Sequence, residues 1–223
     1  MITTPLRLLA GLALAATLAA CGENAARSAE NAATQPAGGA QQSQTLDLAS
    51  LGHAEGAENA PVIVYEFSDF GCRFCALFSL HTYPELRREF VDTGQVRWVS
   101  VPFVIGMFPN GETAARAAEC AAEQDRYFAM HEKLFETQSE WARDNKADRL
   151  FAGYAKEIGL DQARYASCYA ENRGAARTAN NTRVAELFGI NGTPTFIVDG
   201  RMIQGALPIQ QFREVLRMTL GQQ

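Results

Sequence analysis

Apolar residues keep three different rhythms along these 223 residues, and the changes of rhythm mark the elements. Residues 8–20 are a largely apolar run behind Arg7, short of the roughly 20 residues that span a bilayer. Residues 22–45 are mostly Ala, Asn, Gln, Ser and Gly, without an aromatic side chain. They bury too little to offset the entropy of ordering, and read as a tether. The run Val-Ile-Val-Tyr-Glu-Phe at 62–67 reads as a strand, and Phe74, Leu77, Phe78, Leu86 and Phe90 then recur at helical spacing. That spacing predicts a helix over 72–91, kinked at Pro84, which lacks a backbone donor. A second strand is predicted at 96–101, and the strand-helix-strand order implies parallel pairing. Residues 112–188 read as four or five helices with Gly159 and Gly189 as stops. Strand character returns at 195–198, followed by the hairpin signal Asp199-Gly200, a strand at 202–204 and an amphipathic helix over 209–220.

The segment 1–20 has the layout of an export signal, a positive charge followed by a short apolar core. It ends in Leu18-Ala19-Ala20-Cys21, which resembles the bacterial lipobox, in which the cysteine is acylated and becomes the first mature residue. An ordinary cleaved signal with a chance cysteine is the alternative. Gly22, in place of an acidic residue, points to an outer-membrane, periplasm-facing lipid anchor over the inner membrane. Residues 21–50 are then the lipidated cysteine and its tether. As a flexible coil, 22–45 would span roughly 25 to 30 Å. The net charge of −5 argues against nucleic acid as a partner, since phosphate binding needs clustered Lys and Arg.

The candidate chemistry is Cys72-Arg73-Phe74-Cys75, where the chain turns from strand into helix. A helix start offers unpaired N–H groups and the positive end of the backbone dipole, which stabilise a thiolate over a thiol. Arg73 adds a fixed positive charge beside Cys72, unless its side chain points into water. Phe74 offers apolar surface to unfolded substrates. Setting Cys21 aside leaves four of the five cysteines, an even number in an exported chain. Cys72 can pair with Cys75, which leaves Cys120 and Cys168 to join two helices or to stay as buried thiols; sequence alone leaves that pairing open. His53, His81 and His131 lie outside the motif and read as surface or packing residues. Met107, Met130, Trp98 and Trp141 read as core or pocket lining.

Three stretches together resemble the DsbA-like branch of the thioredoxin superfamily. They are Glu66-Phe67-Ser68-Asp69-Phe70 leading into the Cys-x-x-Cys, Ala118-Glu119-Cys120-Ala121, and Gly189-Ile190-Asn191-Gly192-Thr193-Pro194-Thr195-Phe196. The resemblance covers nearly all of residues 55–220. It implies an α/β thioredoxin fold with an inserted all-helical subdomain: a first part at 51–104, the insertion at 105–188 and a second part at 189–223. It also implies a cis bond between Thr193 and Pro194 facing the thiols, with Thr193 pairing with substrate backbone. Glu66 takes the position of the family's acid beneath the thiols, where it would relay a proton to or from Cys75. A solvated strand-end acid is the alternative.

The activity so implied is thiol–disulfide exchange with cysteines of exported proteins, as a dithiol oxidase, with a membrane redox partner to reset it and no cofactor or metal. The Arg73-Phe74 pair departs from the family's familiar dipeptides. Reductase or isomerase action is therefore the first alternative. A zinc module built on Cys72, Cys75, Cys120 and Cys168, or an anchored interaction domain, is the alternative of a different class.

Overall fold

The computed structural model describes residues 51–222; the export signal, Cys21 and the tether lie outside the described residues. Five strands form one sheet in the order β1-β3-β2-β4-β5. They are β1 (His53–Glu55), β2 (Val62–Ser68), β3 (Val96–Pro102), β4 (Thr195–Val198) and β5 (Arg201–Gln204). β2 and β3 are parallel, with Val64 opposite Trp98 and Glu66 opposite Ser100. The other three pairings are antiparallel. β1 was not foreseen: three residues give too short an alternation to read.

Alternation of side chains gives the sheet two buried faces. Val62, Val64, Trp98, Phe196 and Val198 share one face with Phe78, Leu86 and Phe90 from the following helix and with Phe212 and Leu216 of α9 (Ile209–Leu220). Phe67, Val99, Val101 and Ile197 share the other with Val184 and Ala185 of α8 (Ala175–Leu187). Since residue parity fixes the face, Glu66 falls in the row of Val62 and Val64. A carboxyl is thereby carried into the core under the first helix.

The helix expected over 72–91 is broken into α1 (Arg73–Leu77) and α2 (Tyr83–Leu86), each followed by a wide π-helical stretch, Phe78–Thr82 and Arg87–Val91. Pro84 cannot donate to a carbonyl one turn back, and the Tyr83 N–H reaches Phe78 O across the widened turn instead. The kink is spread over looser turns.

Between β3 and β4 run six helices, one more than the four or five expected: α3 (Gly111–Ala122), α4 (Tyr127–Glu136), α5 (Gln138–Trp141), α6 (Ala147–Glu157), α7 (Gln162–Glu171) and α8. The extra break lies at Thr137, whose hydroxyl donates to Lys133 O at 2.7 Å while its own carbonyl accepts from Glu140. Alanines of α3 interlock with Met130, Leu134, Trp141, Phe151 and Tyr154 in a core of their own. Met107 departs from the core role expected of it and is 68% exposed on the loop after β3.

Candidate active site

A turn that closes with the Cys72 N–H on Asp69 O at 3.0 Å lifts the chain from the end of β2 into α1. Cys72 caps the helix in an extended conformation, φ −78° and ψ 120°. Its sulfur therefore faces the first-turn N–H groups, which have no partner inside the helix. Both thiols are free and buried. The Cys75 thiol, the Thr193 hydroxyl and the backbone N–H groups of Cys75 and Phe74 serve the Cys72 sulfur, and together outweigh its burial. They lower its pKa from 9.0 to about 6, the Cys75 thiol acting most strongly. Burial, and then the neighbouring Cys72 sulfur, push Cys75 the other way, well above its ordinary value. Two sulfurs in one turn are thus split into a ready thiolate and a reluctant one.

Across from Cys72 stands the loop before β4. The Thr193–Pro194 bond is cis, and Thr193 O lies 3.4 Å from the Cys72 sulfur. Pro194 is buried, and its carbonyl accepts from Gly205 N at 2.8 Å. Arg73 and Phe74 point outward, Phe74 being 64% exposed. Arg73 is not among the groups that hold down the Cys72 pKa. Helix-start N–H groups and neighbouring hydroxyl and thiol donors do what its charge was expected to do.

Glu66 is no solvated acid, being 2% exposed. Its Oε2 accepts from Trp98 Nε1 at 2.9 Å, and its Oε1 has no partner. Burial lifts its pKa from 4.5 to about 7; the bond from Trp98 and the nearby Ser68 side chain oppose that rise, and the negative charge of Glu55 adds to it. This buried carboxyl therefore exchanges its proton near neutrality.

Two further residues shape this turn and were missed in the sequence. The Asp69 carboxylate accepts from Gly71 N at 2.9 Å and Ile105 N at 3.3 Å, and burial raises its pKa to about 6. Gln138 of α5 donates to Phe70 O at 2.6 Å and Cys72 O at 3.0 Å, tying the helical segment to the active turn. Asp69 stood inside a motif already singled out, whereas Gln138 is 63 residues past Cys75 and carries no local signal. His131 is buried, which drops its pKa to about 3 and keeps it neutral, and His53 bonds Glu119 at 3.0 Å.

Cys120 and Cys168 are bonded to each other, joining α3 to α7. The four-cysteine zinc site weighed as an alternative is thereby not formed. Among the described residues no group of three or more His, Cys, Asp or Glu is placed to hold a metal ion.

The family model described as Thioredoxin matches residues 49–217, three quarters of the chain. The chain belongs to the thioredoxin family. Within it, the Disulfide bond formation protein D of Bacillus subtilis is 26% identical, over 74% of this chain and 75% of that protein. The family fold is equally plain in oxidised BdbD from the same organism, with a TM-score of 0.69 at 24% identity over 78% of this chain and 94% of that one. Higher identity, 38% over 160 residues, is found with the Na(+)/H(+) antiporter NhaA 3 of Salinispora tropica, over 71% of this chain. Only 23% of that protein is covered, so the chain spans about a quarter of the length of the first curated relatives it matches. No helix among the described residues is long and apolar enough to cross a membrane. The thioredoxin sheet with a helical segment between β3 and β4 is the α/β architecture that the motifs implied.

Proposed function

We propose that the protein is a thiol–disulfide oxidoreductase of the DsbA-like kind, which oxidises paired cysteines of exported proteins through a Cys72–Cys75 disulfide. The observation that carries this reading is the split of the pair, with Cys72 held near a pKa of about 6 and Cys75 pushed well above its ordinary value. A thiolate so stabilised is a good leaving group, which favours the reduced enzyme and makes the oxidised one a strong oxidant.

In the forward sense, a substrate thiolate attacks Cys72 Sγ, the Cys72–Cys75 bond breaks, and its electron pair leaves on Cys75. Cys75 then takes a proton, and this reading gives the donor role to the buried carboxyl of Glu66. A second substrate thiolate attacks the substrate sulfur of the mixed disulfide, releasing the substrate oxidised and Cys72 as a stable thiolate. Thr193 O and the exposed Phe74 offer the incoming peptide a backbone acceptor and an apolar rest. Resetting the dithiol needs an external oxidant, assigned here to a membrane redox partner. Acylation of Cys21 would hold the domain on the periplasmic side of the outer membrane, a reading that rests on Leu18-Ala19-Ala20-Cys21.

Replacing Cys75 with Ala removes the resolving thiol and should trap substrates as mixed disulfides through Cys72. A Cys75→Ala protein that captures no thiol peptide sinks the proposal. Equilibration of Cys72–Cys75 with glutathione fixes direction: an oxidase is fully reduced by a buffer that leaves a reductase largely oxidised.

A further inference from the structure

A chain of contacts runs from the surface to the buried acid. Arg87 Nε lies 3.0 Å from Glu55 Oε2, and the Tyr83 hydroxyl donates to Glu55 Oε1. The Tyr83 ring packs 4.7 Å from Trp98, whose indole donates to Glu66. Glu55 also stands opposite Trp98 in the β1–β3 register. Its outer end opens on a surface pocket of about 480 Å³ lined by Glu55, Tyr83, Arg87, Arg88, His131 and Glu132 among others. We propose that Glu55 and Arg87 are tuning residues that set the charge state of Glu66 through Tyr83 and Trp98, and with it the pH at which Cys75 is protonated and released.

The physical case is that the Glu66 carboxylate accepts from a neutral indole and pairs with no Lys or Arg. Charge on Glu55, only 16% exposed, then has more weight than surface charge, while water screens the half-exposed Arg87 more strongly. Around Glu66, α4 supplies Tyr127 and the Pro84 helix supplies Tyr83, both of which feel its charge. β1 supplies Glu55, while β4 places only Phe196 opposite. Glu55 is the nearby anion that disfavours ionised Glu66. Arg87 partly cancels Glu55. The pair therefore works as a bias set from outside the core, where solvent and ions in the pocket reach it.

The consequence for Cys75 rests on the oxidoreductase reading; the titration itself does not, and the test separates them. The carboxyl of Glu66 is followed by carbon NMR in the full reduced protein. Glu55→Gln keeps an acceptor for Tyr83 but removes the charge, and should lower the Glu66 midpoint by about half a pH unit. Arg87→Gln should raise it by a smaller amount, about 0.2 pH units, water screening the exposed guanidinium. Opposite signs are required, since a merely structural loss would move both variants the same way. Unmoved midpoints, or shifts of one sign, overturn the proposal. With the midpoints moved as stated, the pH profile of exchange should follow them in both variants. A profile that stays fixed overturns the link to Cys75, while trapping by Cys75→Ala still reports on the oxidoreductase reading.

Discussion

Cys72–Cys75 and Cys120–Cys168 are two sulfur pairs in one domain, all four residues 2% exposed or less. Depth of burial therefore does not tell them apart. Position on a helix does. Cys72 caps α1 and faces free N–H donors, a hydroxyl and its partner thiol, all of which stabilise a negative sulfur. Cys120 and Cys168 lie within α3 and α7 among alanines and aromatic rings, where the neighbouring N–H groups are spent on the helix. On the proposed function one pair exchanges electrons, while the other holds two helices together; the lesson is that reactivity comes from the donors around a sulfur.

The sharpest way to break this comparison is to exchange the damage. Cys72→Ser should cut the rate of dithiol oxidation by at least about 10³-fold, the nucleophile being lost. In the reduced protein at about pH 5, below the folded pKa of Cys72, it should change unfolding free energy by less than about 1 kcal/mol, since a near-isosteric swap leaves the packing in place. Conversely, Cys120→Ala with Cys168→Ala opens a loop closed over a separation of 48 residues. Loop-closure entropy puts the loss of stability at about 4 kcal/mol, read from a denaturant melt. Exchange should persist in the cold, because neither sulfur serves Cys72. Should both lesions damage rate and stability alike, the division of labour is wrong.

Smaller effects come from the titratable groups buried in the domain. Glu66 has its pKa raised on folding, so the native state holds a proton that the unfolded chain releases. Stability on this account falls as pH rises from about 4.5 to about 7. Glu66→Gln removes that burden, and should stabilise the protein by about 2 kcal/mol at pH 8 and by almost nothing below pH 4. Cys72 works with the opposite sign, its folded pKa lying below its ordinary 9.0. The reduced form gains stability over the oxidised form as pH rises from about 6 toward 9, and loses that gain as pH falls through about 6. Melting both redox forms across that range checks it.

Much of this was legible in the chain because local rules sufficed. The strand at 62–68, the hairpin at Asp199-Gly200 and the amphipathic last helix obey periodicity and turn chemistry that act over a few residues. The reactive pair was equally visible, because a Cys-x-x-Cys after a strand carries its own helix start. Hidden features depend on contacts distant in sequence. Gln138 reaches the Cys72 carbonyl from 66 residues away, and Trp98 meets Glu66 only through the parallel register of β2 and β3. The wide turns around Pro84 were misread as a local kink because their shape is set by packing of Phe78, Leu86 and Phe90 on the sheet.

Arg73 separates the two accounts of Cys72 most finely. A guanidinium beside a thiolate lowers its pKa through Coulomb attraction, but water screens that attraction strongly where the charge is exposed. Arg73 is exposed, and the groups that serve the Cys72 sulfur are Cys75, Thr193 and backbone donors at fixed positions. Arg73→Gln should accordingly raise the midpoint of Cys72 alkylation by no more than about 0.3 pH units. Thr193→Val, which removes a hydroxyl donor, should raise it further than that. If the arginine variant moves the midpoint by more than the valine variant, mobile surface charge outweighs fixed donors, and the contrast with Cys120–Cys168 must be rebuilt on electrostatics at longer range.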